Sequence, residues 1–265
     1  MGGGSHYIED GEFKIYSQNG EDGIIDFLLH LLDSSLDKYP KAFIEFGVEN
    51  YLESNTRFLL QFRNFYGLIL DGCRDNINFI KSDSIYWKYD LEARCAFITK
   101  DNINDLIKSY LESRELSNVL LLSIDIDGND YYIWDSINVI DPAIVIIEYN
   151  ALFGSDKCLS VPYKQDFYRF DAHYSGLYFG ASIKALINLG KSKGYRFVGA
   201  DSSGTNLFFI KNNLDSSSLK TYSLDEYCKR HKARQSRDKN GNLTYLSHND
   251  RLKEIEHLPL INPFS

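Results

Sequence analysis

Short apolar runs that end in acidic residues alternate along the chain with segments whose apolar residues recur at helical spacing. Runs of the first kind are typical of buried parallel strands. The predicted strands cover residues 41–48, 66–71, 84–90, 120–127 and 143–150. The predicted helices cover residues 23–32, 54–62, 76–81, 102–114 and 131–137. This alternation predicts a parallel sheet with helices on both of its faces.

After residue 150 the alternation loosens into an aromatic, polar segment that extends to residue 178. Such a long connection either covers a binding site or is a packed excursion. Residues 181–193 return to helical spacing, and residues 195–200 and 206–211 predict an antiparallel hairpin at the sheet edge. We therefore expect one main domain over residues 7–212 and a C-terminal extension over residues 213–265. The extension either caps the domain or contacts another copy in a homo-oligomer.

Composition narrows the classes of function. The net charge of −8 argues against nucleic acid or an anionic membrane as the main partner. No apolar run approaches the roughly 20 residues that span a bilayer. The four cysteines form no CxxC pair, so we expect free thiols, no zinc site and a cytoplasmic location. Residues 1–6, MGGGSH, resemble the remnant of an expression tag and are left out of the fold prediction.

Acidic side chains follow two predicted strands, in LLLSIDIDGND (120–130) and AIVIIEYN (143–150). Side chains of a strand repeat their face every second residue. Asp125 therefore points to the same face as Asp127, and Glu148 points to the same face as Asn150. If the two strands are neighbours, these groups converge at one sheet edge. A bound cation, a cationic substrate or raised pKa values would each compensate the charge.

The turn after the first strand is acidic where a dinucleotide-binding loop would carry glycine. Its sequence, EFGVEN, places Glu49 where GxGxxG has its second glycine, and acids at 45 and 49 would repel phosphates. A nicotinamide cofactor is therefore disfavoured. A ligand with a cationic centre, an amine and ribose hydroxyls, such as S-adenosylmethionine, suits the acids better.

Over roughly residues 16 to 212 the motifs FIEFGV, LILDG, YDLEA and SIDID, in this order, resemble those of the class I S-adenosylmethionine-dependent methyltransferases. The lead-in YSQNGEDGI also resembles that of small bacterial FkbM-type sugar methyltransferases. The resemblance implies a doubly wound, mostly parallel, seven-stranded Rossmann-like sheet with a C-terminal antiparallel hairpin. The cofactor-binding residues it implies are Gln18, Gly20, Glu45, Gly47, Asp71, Asp90 and Asp125.

Methyl transfer to a sugar hydroxyl requires removal of a proton whose pKa lies far above 7. A divalent ion lowers that barrier, and hard oxygen ligands select Mg²⁺ or Mn²⁺. Asp127, Glu148 and Asn150 are the predicted ligands, by similarity to metal-dependent members of the class. Asp130, where some relatives place a general base, and His173 in the aromatic segment are the alternative catalytic residues. Asp127 and Asp130 could instead cap the following helix.

The sequence thus predicts an S-adenosylmethionine-dependent O-methyltransferase for a sugar, expected to be nucleotide-linked and used in bacterial capsule or surface polysaccharide synthesis. Aromatic residues of the 151–178 segment would stack on the sugar. Arg169 and the basic run 229–237, otherwise a solvated surface, would meet a diphosphate. Two alternatives stay open: a nicotinamide-dependent sugar oxidoreductase and a non-catalytic binding module with the same fold.

Overall fold

A computed structural model of the 265-residue chain describes residues 5–232 and 235–265. The strands are β1 (Ala42–Phe46), β2 (Tyr66–Asp71), β3 (Leu91–Cys95), β4 (Leu121–Ile124), β5 (Ile144–Glu148), β6 (Tyr195–Ala200) and β7 (Asn206–Lys211). The helices are α1 (Glu21–Leu36), α2 (Arg57–Phe62), α3 (Arg74–Ser82), α4 (Ser84–Lys88), α5 (Ile103–Ser113), α6 (Asp130–Ser136), α7 (Arg169–Ala172), α8 (Ile183–Ser192), α9 (Leu224–Arg230) and α10 (His248–Ile255). Single 3₁₀ turns occupy Ile8–Gly11 and Ala151–Phe153.

All seven strands form one sheet in the order β3-β2-β1-β4-β5-β7-β6. The first five strands pair in parallel, whereas β7 is antiparallel to both β5 and β6. Chain order reverses at β1, which lies between β2 and β4, so the carboxyl ends of these strands open onto a crevice. The predicted doubly wound sheet with its C-terminal antiparallel hairpin is confirmed.

Alternate residues of the central strands feed two hydrophobic cores, one on each face of the sheet. Ile44 and Phe46 of β1 belong to the core under α5, α6 and α8, whereas Phe43 belongs to the core under α1, α2 and α3. This two-residue period within continuously apolar strands is what burial on both faces requires. None of the helices in the described ranges is long and apolar enough to cross a bilayer.

The predicted third strand over residues 84–90 was wrong. Residues Ser84–Lys88 form helix α4, where the Asp83 side chain caps the first turn by accepting a hydrogen bond from the Ile85 amide at 2.8 Å. Trp87, which made the segment look strand-like, is 74% exposed. The true strand, β3, begins after Asp90.

The C-terminal extension packs directly against the main domain. Tyr227 and Cys228 of α9 join the larger core. Ile255 of α10 joins a third, smaller cluster formed with the aromatic segment, including Phe153 and Phe167. Of the sequence features noted above, residues 1–4 of the N-terminal remnant and residues 233–234 of the basic run lie outside the described residues. The extension therefore contributes to one continuous structure above the carboxyl edge of the sheet.

Candidate active site

Two adjoining cavities lie over the carboxyl ends of the parallel strands. They have volumes of about 420 Å³ and 330 Å³, and Gly47, Glu49, Asp125 and Asp127 line both. Each volume lies in the range of small-molecule sites, about 300–1,000 Å³. The β1–α2 loop and the β4–α6 loop therefore form the border between two halves of one cleft.

Glu45, at the end of β1, organises the following loop. Its carboxylate accepts hydrogen bonds from the Asn55 and Thr56 amides, at 2.8 and 3.1 Å, and from the Thr56 hydroxyl at 2.5 Å. Burial raises the pKa of Glu45 to about 7 despite these bonds. Glu45 lines the larger cavity as predicted for a cofactor residue, but protein donors, not a bound cation, compensate its burial.

Gly47 lets the loop approach β4 closely. Its φ of +71° lies in the left-handed region, and a Cβ built there would stand 1.6 Å from the Asp125 carbonyl oxygen. Glu49 also has a positive φ, 47°, although it is not glycine. Its amide donates to the Asp71 carboxylate at 2.8 Å, so the loop is tied to the end of β2.

Asp71 lies at the wall of the smaller cavity, as predicted for a cofactor residue. It also accepts hydrogen bonds from the Cys73 amide at 2.7 Å and the Asn76 side chain at 3.1 Å. With the Glu49 bond, three of about four acceptor positions on the carboxylate are used, which leaves one for a ligand. Phe97 and Tyr168, which are both exposed, line the same cavity.

The predicted adenine contact through Asp90 was wrong. Asp90 precedes β3 and therefore lies at the amino end of the sheet, about 16 Å along the strand from the cleft, at about 3.3 Å per residue. Its carboxylate pairs with Arg114 at 2.7 Å. The error follows from the misplaced third strand, because the cleft is lined instead by Ala96, Phe97 and Ile98 after β3.

Three carboxylates converge at the ends of β4 and β5, as the sequence predicts. One oxygen from each of Asp125, Asp127 and Glu148 lies within 4.8 Å of the others. Burial, followed by repulsion from the neighbouring acids, raises the pKa values of Asp125 and Glu148 well above their ordinary range. The buried Glu148 Oε2 has no hydrogen-bond partner among the described residues. Burial and the neighbouring acids therefore disfavour the ionised forms of both carboxyls.

Arg169 compensates part of this negative charge. Its guanidinium forms an ion pair with Asp127, whose side chain is 53% exposed. Two nitrogens of the guanidinium also donate to the Gly176 carbonyl, at 2.8 and 2.5 Å, and its central carbon lies 4.0 Å from the centre of the Phe179 ring. The aromatic segment thus places the cationic side chain of Arg169 beside the acid cluster.

Asn150, which lines the larger cavity, holds the aromatic segment through its side chain. Its side-chain nitrogen donates to the carbonyls of Leu177 and Phe179, at 2.9 and 3.0 Å. Its side-chain oxygen accepts from the Leu152 amide at 3.0 Å. Asn150 therefore anchors the aromatic segment, and its predicted role as a metal ligand stays a prediction. Asp125, Asp127 and Glu148 form the carboxylate cluster.

Neither predicted general base lies in the cleft. Asp130 is fully buried and accepts hydrogen bonds from the Ile126 and Gly128 amides, at 2.8 and 2.9 Å; burial raises its pKa to about 6. His173 lies beside Tyr174 and His257, with its Nδ1 2.7 Å from the Ser175 hydroxyl. Asp130 instead supports the backbone that carries Asp127.

Gln18 lines the larger cavity, and its cofactor role stays a prediction. Gly20 is the N-cap residue of α1 and, together with Gln18, lines a third cavity of about 650 Å³. The lead-in is held by Asp22, which accepts hydrogen bonds from three successive amides of residues 15–17. The larger cavity and the third cavity therefore adjoin at Gln18.

Several lining residues escape prediction from the sequence because they come from the C-terminal extension. They are His231, Gln235, Arg237 and Arg251. The basic run 229–237 was the one available signal, and it includes three of the four. Burial, followed by the charge of Arg251, lowers the pKa of His231 to about 4, so its imidazole is neutral at pH 7.

No family model matches the sequence, and no curated protein matches it. Among solved structures, the N-terminal domain of EvdMO1 with SAH bound is 9% identical, with a TM-score of 0.45 over 74% of this chain and 82% of that one. An S-adenosylmethionine-dependent methyltransferase from Clostridium acetobutylicum ATCC 824 is also 9% identical, with a TM-score of 0.42 over 71% and 90%. The plantazolicin methyltransferase BamL is 14% identical, with a TM-score of 0.43 over 88% and 76%. The fold assignment rests on the strand order of this chain rather than on these weak likenesses.

Proposed function

We propose that this chain is an S-adenosylmethionine-dependent O-methyltransferase that acts on a sugar hydroxyl. The observation that carries the proposal is the acid-bordered pair of cavities at the carboxyl edge of the sheet, joined at Gly47 and Asp125. A nucleotide-linked sugar destined for bacterial capsule or surface polysaccharide is the acceptor class that we favour.

The residues present suit this cofactor. Asp71 keeps an acceptor position for ribose hydroxyls, and Phe97 and Tyr168 offer aromatic faces for adenine. Glu49 and Asp125, at the border between the cavities, favour an amine and a sulfonium over phosphates. The same acids disfavour the nicotinamide alternative.

S-adenosylmethionine would supply an electrophilic methyl group. With the cofactor bound, the acceptor oxygen would take the methyl group from the sulfonium sulfur, and the hydroxyl proton would pass to a carboxylate of the protein. We assign that role to the Asp125–Glu148 pair, because its raised pKa values make it a stronger base than an ordinary carboxylate. The positive charge of Arg169 lowers the pKa values of both carboxyls and so favours the ionised form that can accept the proton.

The oxygen cluster also fits a divalent ion. Asp125, Asp127 and Glu148 would hold Mg²⁺ or Mn²⁺, for which carboxylate oxygens are the preferred ligands. The ion would place positive charge beside the acceptor oxygen. Asp127 would then bind the metal instead of forming its ion pair with Arg169.

Calorimetric titration with S-adenosylhomocysteine tests the cofactor. We expect binding by the wild-type protein and an affinity lower by about tenfold or more in Asp71→Asn, because a hydrogen bond to a charged group contributes about 1.5–3 kcal/mol. Asp75→Asn, on the exposed first turn of α3, is the matched control and should bind normally. Absence of binding to the wild type would refute the proposal.

Chelation tests the metal. We expect EDTA to lower methyl transfer to a pool of sugar nucleotides, added Mg²⁺ to restore it, and Asp127→Asn to abolish the restoration, because one ligand is lost. Asp166→Asn, which removes an exposed acid paired with Lys164, should behave as wild type. Full activity in EDTA and in Asp127→Asn would leave proton removal to the carboxylate pair alone. Binding of S-adenosylhomocysteine without transfer of labelled methyl groups would instead indicate a non-catalytic binding module.

A further inference from the structure

The third cavity, of about 650 Å³, differs in chemistry from the acid-bordered cleft beside it. It adjoins the larger cavity at Gln18, Thr205 and Gln235, which line both. We propose that the third cavity binds a second, uncharged sugar unit of the acceptor, next to the sugar that is methylated at the acid cluster. This proposal rests on the proposed function and extends its acceptor from one sugar to at least two.

The charged side chains around the third cavity offset one another. Lys14, which lines the cavity, pairs with Glu53 at 3.3 Å. Glu12 and Lys232 both contact Ser202: the Glu12 carboxylate accepts a hydrogen bond from its amide at 2.5 Å, and the Lys232 Nζ lies 3.4 Å from its hydroxyl oxygen. Because two cations face two acids, the wall favours neither an anionic nor a cationic ligand.

The other polar groups of the wall are uncharged amides and hydroxyls. They belong to Gln18, Asn19, Gln235, Ser202, Ser203 and Thr205. A side-chain amide carries both donors and an acceptor, and a hydroxyl can act as either. A ligand with several neutral hydroxyls matches this set, because each of its hydroxyls also donates and accepts. A sugar unit is such a ligand.

Phe13 adds an aromatic surface to the same wall. Its side chain is 38% exposed although it is large and apolar, and it lines the third cavity. The ring packs edge-on against Phe58, with the two ring centres 5.3 Å apart. A flat apolar ring can pack against the C–H face of a sugar while the sugar hydroxyls bond to neighbouring polar groups. Phe13 therefore supplies the apolar contact that an uncharged sugar requires.

Contacts within the protein fix the segments that form the wall. The Asp201 carboxylate accepts hydrogen bonds from the amides of Ser203 and Thr205, at 2.9 and 3.0 Å, and so orders the turn between β6 and β7. The bond from the Ser202 amide to Glu12 ties this turn to the N-terminal segment. A wall that is already ordered loses little conformational entropy on binding, so a neutral ligand can gain measurable affinity there.

Transfer of labelled methyl groups to matched acceptors tests the second sugar site on the full chain. The acceptors are the methyl glycosides of glucose, mannose and galactose, and the disaccharides cellobiose, maltose, mannobiose and galactobiose, each built from one of these sugars. We expect at least one disaccharide to exceed its methyl glycoside in kcat/KM about tenfold or more, because the second unit adds binding free energy. Phe13→Ala should remove this advantage. Phe62→Ala, which removes another exposed ring that packs on Phe58 but does not line the third cavity, is the matched control and should keep it.

The proposal is overturned if no disaccharide exceeds its methyl glycoside, or if Phe62→Ala removes the advantage as fully as Phe13→Ala. Ser202→Phe, which places a ring in the third cavity from the opposite segment, should also remove the advantage and carries the test if Phe13→Ala fails to fold. Calorimetry with S-adenosylhomocysteine reports the folding of each variant. Label on sugar nucleotides but on no disaccharide would overturn the second sugar site and leave the proposed function in place. Failure of the wild type to bind S-adenosylhomocysteine would instead refute the proposed function, and this extension with it.

Discussion

Glu148→Gln is expected to raise the free energy of unfolding while it lowers the rate of methyl transfer by about a hundredfold or more, the usual contribution of a positioned base. The wild-type carboxyl is buried beside Asp125, and one of its oxygens lacks a hydrogen-bond partner among the described residues. A neutral amide of the same shape removes the repulsion. A gain in the free energy of unfolding is therefore expected.

The stability effect has a defined pH dependence. Because the folded-state pKa of Glu148 lies well above the ordinary 4.5, the folded protein keeps a proton that the unfolded chain has released. Its contribution to stability is complete below the ordinary value and is lost as the pH rises through the folded-state value. The wild-type free energy of unfolding should therefore fall as the pH rises above the ordinary 4.5 and through the folded-state pKa, and it should fall less in Glu148→Gln. Asp125, Asp127, Asp130 and Arg169 face the same group, so part of the slope should remain.

Urea unfolding across this pH range and transfer of labelled methyl groups measure the two effects. Glu112→Gln, an exposed acid on α5, is the control and should change neither. Unchanged turnover in a folded Glu148→Gln protein would remove both the base and the metal ligand from this position. Lower stability would contradict the buried repulsion.

The sheet could be predicted because its strands are apolar on both faces, a pattern that only a buried parallel sheet requires. β1, β2 and β5 fall within the predicted ranges for this reason. The segment from Ser84 to Asp90 misled the prediction because Tyr86, Trp87 and Tyr89 favour strands locally. The N-cap formed by Asp83 and the exposure of Trp87 favour a helix. Neither can be established without the folded structure.

The acid cluster was predictable from strand ends, but the roles of single side chains were not. The Asn150 side-chain nitrogen donates to the carbonyls of Leu177 and Phe179. The Asp130 carboxylate accepts hydrogen bonds from amides of the loop before it. These partners depend on how the loops close over the sheet. Arg251 enters the cleft from a helix about a hundred residues beyond β5 along the chain, at a distance for which hydrophobic periodicity carries no information.

Gly47→Ala is the second change with a large expected effect, because it alters both conformation and space. A side chain at φ +71° costs about 1–2 kcal/mol in the left-handed region. The added Cβ would also stand 1.6 Å from the Asp125 carbonyl oxygen, so the β1 loop and the β4 loop must separate. Overpacking of this kind adds about 1–3 kcal/mol, which gives a total loss of about 2–5 kcal/mol in the free energy of unfolding.

Gly154→Ala is the matched control, because Gly154 has the same φ of +71° and no heavy atom within 4 Å of the added Cβ. With a ψ of −174°, Gly154 lies in an extended positive-φ region that is essentially restricted to glycine, so Gly154→Ala should lose only a conformational part, about 1–3 kcal/mol. Since Gly47 and Asp125 border both cavities, Gly47→Ala should also weaken S-adenosylhomocysteine binding, and Gly154→Ala should not. Urea unfolding and calorimetry of the two variants provide the comparison. Equal losses of stability in the two variants would mean that the Asp125 carbonyl moves away from the added Cβ at no measurable cost. Normal binding by Gly47→Ala would mean that the cofactor lies away from this loop, because a ligand at the border of the two cavities cannot avoid the displaced backbone.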